Sequence, residues 1–149
     1  MSYPIRFCAS APLRALAMAV LCAAAPAAAL AADWPVFKPG MWHIERSMEG
    51  MAVGPTAQKI TRTECMDPTA DLASQRAMLG NSGCEFSELT GSGSTFRYTG
   101  TCKIAGMTTV SDSTLEVKGD EAFTITIDSD IDGEKSHEVM TARRTGDCP

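Results

Sequence analysis

The sequence predicts an all-β protein: an antiparallel meander forming a strongly curved sheet or partial barrel, with one short helix. Three observations carry this. Thr, Ser, Val and Ile recur in short runs separated by Gly-containing breaks every ten residues or so. Consecutive runs are joined by tight-turn signals, as in "ELTGSGSTF", "EVKGDEAF" and "DIDGEK". Only one stretch, "DPTADLASQRAMLGN", carries both a helix start and a helix stop.

Residues 1–31 stand outside this fold. Arg6 and Arg14 give a positive start, "ALAMAVLCAAA" is a short apolar run, and Ala29-Leu30-Ala31 offers a small-residue cleavage site. This is the layout of a secretory signal peptide, and the run is too short to span a bilayer. No adjacent Arg pair suggests a twin-arginine route. Leu21 before Cys22 does not suit lipidation, which needs a small residue there. The expectation is therefore a periplasmic or secreted protein, with residues 32–149 as a single β-rich domain and no transmembrane segment in the mature chain. Loss of Arg6 and Arg14 leaves eleven basic residues against eighteen acidic ones, a net charge of −7. Nucleic acid and anionic membrane are poor partners for such a chain.

Strands are expected near 41–48, 57–66, 84–89, 95–103, 107–117, 122–129 and 135–144. The helix is expected over 68–79, with Asp67 as N-cap, Pro68 at the first position and Gly80 as the stop. Leu72 and Leu79, seven apart, share a face, so the helix covers part of a sheet. Centring a hairpin on Ser92-Gly93-Ser94 sets Cys84 opposite Cys102, Phe86 opposite Gly100 and Thr90 opposite Phe96. Directly opposed residues share a face, which suits a bridge between the two cysteines. Phe86 would cover the bare strand glycine. Four cysteines remain after the leader, and an even number in a small exported domain reads as two disulfides. Elimination then pairs Cys65 with Cys148. Zinc is the competing reading, but no C-x₂-C spacing supports it.

In "MWHIERSM", alternation puts Trp42, Ile44 and Met48 on one face with Arg46 among them. Met41, His43, Glu45 and Ser47 take the other face, where His43 is solvated or hydrogen-bonded. "KPGMW", "TRTECMDP", the central Cys…Cys hairpin and the closing "TGDC" resemble the bacterial domain-of-unknown-function family 3617. The likeness covers nearly the whole mature chain. It implies a small exported protein, periplasmic or lipid-anchored, and brings no agreed activity, substrate or catalytic residue.

The chemical readings are sparse. Met48, Met51 and His43 suggest a Cu(I) site, yet soft-metal binding needs three or four converging ligands, and Met equally fills core gaps. "DSDIDGE" begins like a calcium loop, but Val139 stands where the closing Glu belongs, and a hairpin turn explains the same residues. Neither a nucleophile elbow nor a catalytic triad is evident. No cofactor, metal site or catalytic residue is assigned. The leading expectation is a non-enzymatic binding or envelope-associated protein, taking an apolar small molecule or an envelope protein. Its sheet concavity would be lined by Trp42, Ile44, Met48, Phe86, Phe96, Tyr98 and Phe123, with Leu115, Ile125 and Ile127; equally the same residues could just form a packed core, the more frequent outcome for such a set. The alternative is an enzyme using His137 or a carboxylate pair in that concavity.

Overall fold

The computed structural model describes residues 32–50 and 54–149. The expected leader and Met51 lie outside them. Eight strands and one helix follow in order: β1 (Gly40–Gly50), β2 (Gly54–Met66), α1 (Pro68–Asn81), β3 (Cys84–Phe86), β4 (Thr90–Ser92), β5 (Thr95–Ile104), β6 (Met107–Val117), β7 (Ala122–Ile131) and β8 (Glu134–Gly146). All pair antiparallel in one sheet of order β2-β1-β8-β7-β6-β5-β3, with β4 also on β5. The sheet does not close. β2 stands at one end and β3 at the other, and α1 connects these two edges.

The turns follow from local chemistry. Asp132-Gly133 joins β7 to β8 with both residues at positive φ (50° and 95°), the type I′ geometry that matches strand twist. Ala105-Gly106 does the same between β5 and β6 (φ 53° and 85°), at a turn whose alanine gives little warning. The β3–β5 register sets Cys84 opposite Cys102 and Phe86 opposite Gly100, as the hairpin centring implied. Beyond Phe86 the register shifts by one: Thr90 faces Arg97 rather than Phe96. The cause is the extra residue at 87–89. There the Ser87 hydroxyl accepts a hydrogen bond from the Thr99 amide at 2.9 Å, and Leu89 turns into the core. The expected strand over 84–89 is thereby cut short at Phe86, and the separate strand β4 begins beyond it at Thr90.

α1 starts as its sequence dictates. The Asp67 carboxylate accepts from the Thr69 and Ala70 amides at 3.0 and 3.2 Å, and Pro68 is buried at the first position. Its end is later than Gly80. The helix runs to Asn81, Ser82 caps it, and the left-handed glycine beyond is Gly83 at φ 99°. Gly83 also passes close to β5, accepting the Lys103 amide at 3.1 Å.

The core packs one end of the concave face. Phe37, Trp42 and Phe123 form an aromatic cluster with centroids 4.7–6.2 Å apart, joined by Ile44, Leu89, Phe96, Leu115, Ile125 and Ala142. Trp42 Nε1 donates to the Lys38 carbonyl at 3.1 Å, so its one polar atom is satisfied. Two disulfides staple the frame: Cys84–Cys102 across β3 and β5, and Cys65–Cys148, which ties the end of β2 to the chain end with Cα atoms 5.5 Å apart.

Gly40 opens β1 at φ 154°, where an added Cβ would fall on the Gly146 carbonyl oxygen and 2.6 Å from Arg144 Nε. Arg144 Nε in turn donates to the Pro39 carbonyl at 3.0 Å. Gly40→Ala should therefore force β1 off β8 and lower the unfolding free energy by about 1–3 kcal/mol. Urea unfolding followed by circular dichroism measures it, and an unchanged midpoint would contradict this packing.

Candidate functional site: a cavity under the helix

Cross-strand registers define rows on the concave face. The row Ile44–Ala142–Phe123 and the row Met140–Ile125–Leu115–Phe96 are apolar. The next, Glu138–Ile127–Ser113–Tyr98, is mixed. The row beyond it, Ser136–Ser129–Ser111–Gly100, carries only small side chains. Large residues fill one end of the concavity, while small ones leave the other end open. α1 crosses that open end with Leu72, Gln75, Arg76 and Leu79 turned to it. The result is a cavity of about 570 Å³, within the range of ordinary small-molecule sites.

Its lining is amphipathic. Ile44, Leu79, Phe86, Ile127 and Met140 give apolar surface. Charged groups come mainly from β1, β2 and β8, in matched pairs: Arg46 to Glu138 at 2.7 Å and Arg62 to Glu64 at 3.1 Å. Arg76 is different. Its guanidinium lies 4.7 Å from the Phe86 ring, 5.4 Å from Trp34 and 5.8 Å from Tyr98. Nη2 donates to the Ser87 carbonyl at 2.8 Å, whereas Nη1 is buried without a partner.

The structure divides the residues singled out from sequence. Ile44, Phe86, Tyr98 and Phe123 line the cavity, as do Ile125 and Ile127. Trp42 and Phe96 are buried in the packed core, with Leu115 beside them. Met48 shares their face but is not among the lining residues. His137 is not in the concavity. It alternates with the inward Glu138, so it lies on the convex face, half-exposed, with Nδ1 2.7 Å from the Asp128 carboxylate. His43 is also on the convex face, against the Thr63 hydroxyl at 3.1 Å. It therefore cannot converge with the inward Met48 on a metal.

The acids of "DSDIDGE" serve the hairpin rather than a cation. Asp130 accepts from Lys135 and from the Gly133 amide, contacts that hold its carboxyl below the usual value, and Asp132 accepts from the Thr108 amide at 3.0 Å. Among the described residues no cluster of three or more His, Cys, Asp or Glu could hold a metal.

Arg76 and Trp34 were missed from sequence. The signal for Arg76 was present: it sits four residues after Leu72 and three before Leu79, on the same helix stripe. Trp34 lies before any strand and meets Tyr98 only through the fold, with ring centroids 5.3 Å apart.

An open, curved antiparallel sheet, stapled by two disulfides and bridged by a helix over an amphipathic cavity, is the class of molecule these features define. The chain belongs to the family described as protein of unknown function (DUF3617), matched over residues 37–148. No curated protein and no solved structure matches it significantly. The motifs that carry the family likeness all have structural work. Lys38 pairs with Asp120 at 3.2 Å, Gly40 admits β8, Trp42 is core, Asp67 caps α1, and the Thr145 hydroxyl donates to the Met41 carbonyl. The motif "TRTECMDP" also reaches the cavity, which Arg62, Glu64, Cys65 and Met66 line together with Cys102.

Proposed function

We propose that this is an exported, non-enzymatic binding protein that holds an apolar or amphipathic small molecule in the cavity under α1. The observation that carries the reading is the cavity itself, where Gly100, Ser111 and Ser113 leave unfilled space between the sheet and the helix. Two disulfides support a place outside the cytoplasm, where such bonds persist. Among the described residues no helix is long and apolar enough to cross a membrane. The enzymatic alternative gains little. His137 is on the other face, and Glu64 and Glu138 are each engaged by an arginine rather than paired with one another.

Native mass spectrometry of the protein isolated from the cell that exports it tests the reading. A retained apolar or amphipathic molecule is expected. Met140→Trp, which puts an indole into the cavity, should abolish retention while leaving the thermal midpoint unchanged or raised. Retention undiminished in Met140→Trp would place the ligand elsewhere. An empty wild-type protein that takes up no added amphiphile would remove the small-molecule reading.

A further inference from the structure

The charge pattern of the cavity narrows its occupant. Arg46 and Arg62 are each matched to a lining carboxylate. The remaining lining acid, Asp71, is exposed in the first turn of α1 and forms no ion pair with Arg76. Arg76 is therefore a cation held by three aromatic faces and one backbone carbonyl, with no carboxylate of its own. A buried guanidinium N–H without an acceptor is costly, and an anionic oxygen is the acceptor that relieves it best. Because Nη2 is already committed to Ser87, what remains suits contact with a single oxygen more than a two-armed grip. Glu64, Asp71 and Glu138 on the same lining also disfavour a doubly charged head.

We propose that the cavity takes a long-chain carboxylate, with its acyl chain along Leu79, Ile127 and Met140 and its head anchored on Arg76. This rests on the cavity being a binding site. Nη1 is buried beside the rings of Trp34, Phe86 and Tyr98, and in this proposal the head reaches it when one of them, Trp34, slides aside. Trp34 is placed for that. It lies in the segment before β1, which is outside the sheet, and it is only partly buried. Trp42, the second tryptophan, is fully buried in the core and is not among the lining residues. Trp34 emission should therefore change on binding while Trp42 emission does not.

The test titrates the oxidised, exported protein with palmitate and with hexadecanol, which share a chain and differ in head charge, following calorimetry and tryptophan emission. Palmitate should bind at least about 10-fold more tightly than hexadecanol. Arg76→Gln should weaken palmitate by about 10- to 100-fold and leave hexadecanol within about twofold. Trp34→Phe should abolish the emission change. Arg76→Lys, which keeps the charge, should retain a preference for palmitate and covers the case in which Arg76→Gln does not fold. Equal binding of the two ligands by the wild-type protein, or palmitate binding untouched by Arg76→Gln, would overturn the anionic anchor and leave the cavity reading standing. Binding of neither ligand would overturn both.

Discussion

Replacing Cys65 and Cys148 together by serine should cost about 4–5 kcal/mol of unfolding free energy, the largest loss expected from removing any one cross-link or side chain of this protein. The bridge spans 83 residues of sequence, and a loop of that length carries about 4–5 kcal/mol of closure entropy in the chain-entropy model. The geometry agrees with a large effect. Met41 pairs with Cys65 on one side and with Gly146 on the other, so the bridge clamps both neighbours of β1 where that strand begins. The Cys84–Cys102 bridge closes only 18 residues and should contribute about 3 kcal/mol. Urea unfolding of the two double-serine variants measures the difference. A Cys65/Cys148 variant within about 1 kcal/mol of wild type would show that the frame holds without its long staple. Domains of this size have only about 5–15 kcal/mol in total.

Trp42→Ala should cost about 3–5 kcal/mol, the range for emptying a large aromatic site in a packed core. Trp42 is the largest fully buried side chain, touches Phe37 and Phe123, and anchors the loop before β1 through Lys38. Trp34→Ala is the contrast. That ring is half-buried at the cavity edge, and its loss should cost distinctly less while altering ligand binding. Guanidinium unfolding of both variants gives the comparison. Equal losses would mean that the core does not end where the cavity begins.

The two tryptophans also show what a sequence can and cannot disclose here. Strand positions, the Asp132-Gly133 turn, the Asp67 cap and the opposition of Cys84 to Cys102 depend on residues close in sequence or on a single hairpin, and they were legible. The one-residue shift after Phe86 was not, because it depends on Ser87 finding Thr99 and on Leu89 finding the core. Alternation put Trp42 on the apolar face of its strand, and Phe96 was expected on the same inner face of the sheet. It could not show that they fill the packed end of the concavity while Phe86 and Tyr98 face its open end. That distinction is set by which rows align across five strands, so it depends on every register at once. Ser111 and Ser113 gave no signal individually, and the cavity exists because they and Gly100 bring little bulk to its floor.

The pairing of β1 with β8 has a consequence in time. β1 is the first of the described strands to be synthesised, and one of its two neighbours in the sheet is the last, β8. The β5–β8 meander needs only near neighbours and can assemble as it appears, because short loops close early and distant ones late. The β1–β2 pair must wait for β8, with the indole of Trp42 uncovered and the Cys65 thiol unmatched, until the final residues have been made. The newborn chain thus passes through an interval in which half its sheet is ready and the other half is adhesive. The apolar surface it shows then is the kind that invites aggregation. The chain's net charge of −5 favours keeping such intermediates apart until the end of the polypeptide arrives to complete the fold.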